Sequence, residues 1–282
     1  MKWTSLYLSE TAFGAIDRAQ VHAGMKQFGS LASVDVGVVT GLNKFFVIDD
    51  ATASALGATE LTVPVVGRTG ALKGIRFCAA DFREYRKVGK SRLLDLNGVP
   101  TDQIPERLCL YIADGESNGA NRGYKCRIRK RWFDVPSIYA PDAFLYRQIH
   151  GYPLLVTNEV QATATDTIHR VRIARGVAKQ LLAATFVNSL TFAWAEVAGR
   201  SYGGGVLELE PREAEQLPVP YASELKLDVA KVDVLIRRGN VDAALDYVDE
   251  TVLVKRLGFT FEDTRAMRAA WRELSERRIN RR

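Results

Sequence analysis

The feature that most narrows the possible folds is an uncharged stretch between Lys179 and Glu196. Within it, an apolar run from Leu181 to Ala195 is interrupted by Asn188 and Ser189. That run falls short of the roughly 20 apolar residues needed to cross a bilayer. Leu182, Phe186, Leu190, Trp194 and Val197 recur at three- to four-residue spacing, which predicts one helix from Gly176 to Gly199 with a buried apolar face. A chain of 282 residues, 47% apolar and 26% charged, has enough material to bury such a helix in one large domain or two smaller ones.

Around this centre the local signals change character. Ser33 to Ile48 reads as two strands broken by a turn at Thr40-Gly41-Leu42-Asn43. Leu108 to Ile112 reads as a strand, Pro153 to Val160 as a buried strand and Val206 to Leu209 as a short one. Helices are expected at about Thr11 to Phe28 and at Ala51 to Leu56, and a loop over the Gly-, Asn- and Ser-rich Asp114 to Gly123. Pro218 and Pro220 mark a boundary, after which the pattern is helical: Ala222 to Arg238, Val241 to Leu257, and Phe261 to about Ile279. Thr260 is the N-cap of the last helix, with Asp263 near its positive end. The prediction is an α+β fold, with a mixed-sheet domain over 1–220 followed by a helical segment over 221–282.

Charge placement is more informative than net charge. Residues 73–133 carry 14 basic and 7 acidic side chains, an excess of +7, while the whole chain is only +6. A local basic surface is the electrostatic footprint of a polyanion partner. Its densest part is Lys125-Cys126-Arg127-Ile128-Arg129-Lys130-Arg131-Trp132-Phe133. On a strand, Lys125, Arg127, Arg129 and Arg131 would share one face, and arginine suits both phosphate oxygens and the guanine edge. A solvated edge strand is the alternative, because edges also favour Lys and Arg.

Catalytic signals are missing. The sequence has no Gly-x-Gly-x-x-Gly turn for a nucleotide-like cofactor, and no Pro-Pro to complete the Asp/Asn-Pro-Pro-aromatic motif of amino-methyltransferases. His22, His150 and His169 are widely spaced. Cys78, Cys109 and Cys126 form no Cys-x-x-Cys pair, so reduced thiols of a cytoplasmic protein are expected rather than zinc or disulfides. The N-terminal Met1-Lys2-Trp3-Thr4 opens no secretory signal, and no membrane partner is expected. Glu224-Leu225-Lys226 matches half of a metal-dependent nuclease site, a triplet that arises readily by chance on helices.

Four segments resemble the C-terminal target-recognition region of N6-adenine DNA methyltransferases from restriction–modification systems. The first is Val36-Gly37-Val38-Val39-Thr40-Gly41-Leu42-Asn43-Lys44-Phe45-Phe46. The second is Arg129-Lys130-Arg131-Trp132-Phe133-Asp134-Val135-Pro136. The third runs from Pro153 through Asn158 to Asp166-Thr167-Ile168-His169. The fourth runs from Phe186-Val187-Asn188-Ser189-Leu190 through Arg200-Ser201-Tyr202-Gly203-Gly204-Gly205 to Pro220. Phe133 and Asp166 stand where that family has Tyr and Asn.

The resemblance implies sequence-specific recognition of double-stranded DNA for adenine-N6 methylation. The methyl donor, S-adenosylmethionine, would be held by a partner methyltransferase subunit or domain and not by this chain. It also implies a DNA-binding set: Thr40, Gly41, Asn43 and Lys44 on the loop, Lys125, Arg127, Arg129, Lys130, Arg131 and Trp132 in the basic run, and Asn158, His169 and Tyr202 beyond it. No catalytic or metal-ligating residue is expected. The alternatives are a restriction endonuclease subunit hydrolysing DNA with a metal, and an assembly scaffold docked through the C-terminal helices.

Overall fold

A computed structural model describes residues 3–280; Met1 and Lys2, which begin the N-terminal stretch considered above, and residues 281–282 lie outside it. The chain builds two hydrophobic cores in the expected α+β class.

The large core lies against a five-stranded sheet. Its strand order is Ala32–Val36, Ile168–Ile173, Ala143–Tyr146, Leu155–Asn158 and Arg76–Phe77. Pairing is antiparallel except between the last two strands. The strands expected at Pro153 to Val160 and Val206 to Leu209 are present as Leu155–Asn158 and Val206–Glu208. The helix expected over Gly176 to Gly199 is instead two, Lys179–Thr185 and Ser189–Ala198, bent by 77°. Asn188 makes the break. Its fully buried amide donates to the Thr185 carbonyl (2.7 Å), while its side-chain oxygen accepts from the Thr191 N–H (2.9 Å). The same side chain thus ends one helix and caps the next, as asparagine does when it competes with the backbone ladder. Among the described residues no single helix is long and apolar enough to cross a membrane.

The helices after Pro220 join this core rather than forming their own. Val232 and Ile236 of Val229–Arg237, Leu245 and Val248 of Val241–Val248, and Met267 and Trp271 of Phe261–Ile279 belong to the same buried cluster as the sheet. The boundary expected at 220 therefore separates elements without separating cores. The terminal helix begins at the predicted cap: the Thr260 hydroxyl accepts from the Asp263 N–H and the Asp263 carboxylate accepts from the Thr260 N–H, both at 3.0 Å.

The small core gathers Phe45, Phe46, Ile48, Leu93, Leu108, Ile112, Cys126 and Val135. It lies against a four-stranded sheet ordered Thr163–Ala164, Thr62–Val66, Arg92–Leu94 and Val47–Ile48. Most sequence expectations that fail do so here. Leu108 to Ile112 is not a strand but part of the helix Glu106–Ser117, burying Leu108 and Ile112 one turn apart. A short apolar run fits both structures, and only its neighbours choose between them. That helix absorbs the first part of the loop expected at Asp114 to Gly123, and the chain turns at Gly119 (φ +79°). The second strand expected before Ile48 is largely the short helix Asn43–Phe46. The N-terminal helix is also shorter than expected, Glu10–Gln20.

The basic run is the main correction. Tyr124–Arg127 is one helical turn with Cys126 as its buried residue, and no strand follows before Ala143. Alternation therefore does not bring Lys125, Arg127, Arg129 and Arg131 onto one strand face.

Candidate nucleic-acid interface

The loop Thr40 to Lys44 sits where the chain passes from the large core to the small one. Its approach is tight: a Cβ on Gly37 would lie 1.9 Å from the Thr165 carbonyl oxygen, so the two backbones can meet only at a glycine. At Gly41 the backbone is left-handed (φ +87°), and a Cβ would stand 3.0 Å from Lys125 Cβ and 3.1 Å from Cys126 Sγ. These contacts join the loop to the basic turn. The buried Thr40 hydroxyl accepts from the Leu42 N–H (3.1 Å) and donates to Asn43 Oδ1 (2.7 Å). Asn43 Nδ2 in turn donates to Asp166 Oδ1 (3.3 Å). Both ends of the Asn43 amide are thereby oriented, while Asn43 and Lys44 remain exposed.

The basic run divides into side chains that build and side chains that face solvent. Arg129 Nη2 donates to the Val39 carbonyl (2.9 Å) and Nη1 to that of Trp132 (3.2 Å), and burial lowers its pKa. Arg131 forms a two-pronged pair with Asp134 (2.8 Å each) and also donates to the carbonyls of Val99 (2.7 Å) and Leu96 (2.8 Å). Trp132 packs on Phe45 (centroids 4.9 Å apart) and donates to Glu116 Oε1 (2.6 Å). These three side chains hold the loop and the edge of the small core. Lys125, Arg127 and Lys130 are exposed, and among the described residues none has a carboxylate partner.

Beside the loop opens a cleft of about 930 Å³ lined by Asn43, Lys44, Arg68, Lys73 and Lys90. The two carboxylates on its wall are already engaged, Asp81 by Arg237 (2.6 Å) and Glu84 by Lys87 (2.7 Å). Its remaining side-chain charge is therefore positive. Lys90 Nζ donates to the Lys44 carbonyl (3.3 Å), and Tyr85 braces the wall by accepting from the Gly67 N–H (3.0 Å). Sequence reasoning missed Arg68, Lys73, Tyr85 and Lys90. Lys73 and Lys90 lie inside the +7 stretch but outside its densest run.

The remaining candidates have other surroundings. Asn158 is buried and donates to the carbonyls of Pro141 (2.9 Å) and Ala162 (2.8 Å), closing the turn that follows its strand. His169 is fully buried opposite Val36; Nε2 meets the Leu209 carbonyl at 2.6 Å, and burial lowers its pKa, opposed by that bond. Tyr202 is half exposed at the end of Arg200–Tyr202, before the glycine turn. Among the described residues no three His, Cys, Asp or Glu group to hold a metal ion, and Glu224 is ion-paired to Arg256 (2.5 Å).

Comparison with known proteins places these features in context. Residues 1–253 match the family described as Type II methyltransferase M.Eco57I, C-terminal domain. The chain is 25% identical over 219 residues to the Type II methyltransferase M.XamI of Xanthomonas campestris pv. amaranthicola, which covers 73% of this chain and 38% of that protein. Its fold is similar to that of the type IIG restriction endonuclease BpuSI, with a TM-score of 0.55 and 11% identity over 98% of this chain and 33% of that one. It is also similar to that of the Type IIL restriction-modification enzyme MmeI, whose structure is in complex with DNA, with a TM-score of 0.51 and 10% identity over 89% of this chain and 36% of that one. The chain thus spans 33–38% of the length of these relatives.

Proposed function

The chain belongs to the M.Eco57I C-terminal domain family of Type II methyltransferases, and from that premise we propose that it reads a specific double-stranded DNA sequence for adenine-N6 methylation in a restriction–modification system. The observation that carries this reading is one juxtaposition: an oriented polar loop, a turn of exposed cations packed against it, and a positively charged cleft beside both. Phosphate contacts position a protein on DNA, and base contacts specify the sequence. Lys44, Arg68, Lys73 and Lys90 supply the first kind along the cleft, joined by Lys125, Arg127 and Lys130 at the turn. Asn43 supplies the second. Its amide, held by Thr40 and Asp166, keeps one donor and one acceptor position with which to meet an adenine edge. Arg129, Arg131 and Trp132 act indirectly by holding that loop.

We propose that S-adenosylmethionine is held outside this chain. The large sheet is antiparallel except for its Arg76–Phe77/Leu155–Asn158 edge, and no glycine-rich turn leads from that parallel pair into a helix. Such cofactors use a crevice at the end of an open parallel sheet, whereas the parallel pairings here are two edge pairs, Arg76–Phe77 with Leu155–Asn158 and Thr163–Ala164 with Thr62–Val66. We assign methyl transfer to a methyltransferase domain or subunit working with this one. The three free thiols suit a reducing cytoplasm.

Selection of bound duplexes from a random pool tests the reading. A single enriched motif containing adenine is expected, with N6-methyladenine at that motif in DNA from cells carrying the system. An unenriched pool, or methylation on another base, would overturn it.

A further inference from the structure

The site described so far is polar and ionic, yet large apolar side chains stand exposed within it. Leu42 is 38% exposed, Tyr124 64% and Ile128 61%. Tyr124 and Ile128 are one helical turn apart, with the Ile128 N–H donating to the Tyr124 carbonyl (3.3 Å), so they project from the same side. Leu42 follows Gly41, the residue pressed against Lys125 and Cys126.

Internal packing does not account for this trio. Cys126 already anchors the turn with its fully buried side chain, and Phe45 and Phe46 anchor the loop. A soluble surface scatters single apolar residues, but two adjoining segments presenting three large ones mark a surface that a partner covers. The surrounding charge narrows the choice. Lys125, Arg127 and Lys130 interleave with the trio, Lys125 Nζ lies 5.7 Å from the Tyr124 ring centre, and the cations continue along the cleft through Lys44, Lys90, Lys73 and Arg68. The matching partner is apolar at its centre and carries a line of anions at its rim. A groove of duplex DNA has that form, with sugars, thymine methyls and base edges between two phosphate backbones.

We propose that Leu42, Tyr124 and Ile128 form a non-ionic wedge that enters a groove of duplex DNA and is covered there by bases and sugars. This deepens the DNA-reading function proposed above and rests on it. The wedge contributes affinity by leaving water, whereas the cations contribute it by releasing counterions from phosphate, so the two respond differently to salt.

The test uses the duplex pool enriched on the wild-type chain and a series of salt concentrations. Leu42→Ala, Tyr124→Ala and Ile128→Ala are each expected to weaken binding by about tenfold at every salt concentration, with no change in the slope of log K against log salt. Lys125→Ala and Arg127→Ala should instead make that slope shallower by about 0.9 per lost contact. Tyr124→Phe, which keeps the ring, should bind like the wild type, and unchanged melting of all variants would exclude misfolding. Leu42→Asn supplies a polar variant of nearly equal size, expected to lose as much as Leu42→Ala. Wild-type affinity in the alanine variants would overturn the wedge and leave the DNA reading standing, as would a loss seen only through a changed slope. Failure of the wild type to enrich any duplex would overturn both.

Discussion

The large core and the basic turn beside the small core differ in how they hold their cations. In the large core, three arginines meet carboxylates: the buried Arg278 with Glu196 (2.7 Å, both side chains 3% exposed), and the half-buried Arg268 with Asp249 (3.0 Å) and Arg147 with Glu208 (2.7 Å). At the basic turn, Arg131 pairs with Asp134, Arg129 is held mainly by backbone carbonyls, and Lys44, Lys125, Arg127 and Lys130 meet no carboxylate among the described residues. A desolvated pair is costly to break and offers nothing to a ligand. An exposed cation adds little to folding and remains available to phosphate. Charge is thus mostly paired in one region and largely left facing solvent in the other.

The largest effect should come from Arg278→Met, which leaves Glu196 buried without its partner. A loss of about 3–5 kcal/mol is expected in urea unfolding. Burial already pushes the Glu196 carboxyl up, against the pull of Arg278, so removing the arginine pushes it further. The folded variant then takes up a proton more readily than the unfolded chain, and its deficit should shrink as pH falls into the range where Glu196 is neutral. A deficit independent of pH would mean that Arg278 acts through its carbonyl contacts alone, at Gly205 and His150.

Next in size, Arg129→Ala should cost roughly 1.5–3 kcal/mol, because it leaves the Val39 and Trp132 carbonyls without a charged donor. Arg127→Ala, two residues away and exposed, should change stability by less than about 0.5 kcal/mol while making the salt dependence of DNA binding shallower. Equal thermal shifts for the two variants would break the division between building and solvent-facing arginines.

The smallest effect belongs to Asp50, which neutralises two cations of the basic stretch, Arg86 and Arg92, at 2.7 Å each. The hydrogen bond from Arg86 is the main cause of its lowered pKa; burial opposes the shift and Arg92 adds to it. A folded-state pKa below the unfolded 3.8 means that Asp50 stabilises the protein above that value, and that the contribution disappears as pH falls through the folded pKa. At 36% exposure the contribution is under about 1 kcal/mol. Asp50→Asn should therefore lower stability slightly near neutral pH, flatten the acid limb below about pH 4, and tighten DNA binding with a steeper salt dependence. Unchanged binding would place Arg86 and Arg92 away from the DNA.

Several elements were legible because their signals are local. The terminal helix Phe261–Ile279 matches its expected span because Thr260 and Asp263 cap each other across one turn, whatever packs beside them. The strand Leu155–Asn158 and the α+β class followed from β-branched runs and proline punctuation, and the family from four ordered segments rather than from any single one. The loop Thr40 to Lys44 was legible as a candidate site because its polar residues lie between apolar anchors.

Tertiary structure decided what local chemistry leaves degenerate. Leu108 to Ile112 suits strand or helix equally until a neighbouring surface selects the spacing of its buried side chains. Asn188 is a minor polar interruption in the sequence and a 77° bend in the fold, because its amide finds both helix ends within reach. In the basic run, sequence established that positive charge gathers there, and not which cations stay outside. That was settled by acceptors far along the chain: the Val39 carbonyl, 90 residues from Arg129, and those of Val99 and Leu96, 32 and 35 residues from Arg131. Side chains of the same type, alternating in sequence, part ways only when folding brings a carbonyl to one and leaves water at the next.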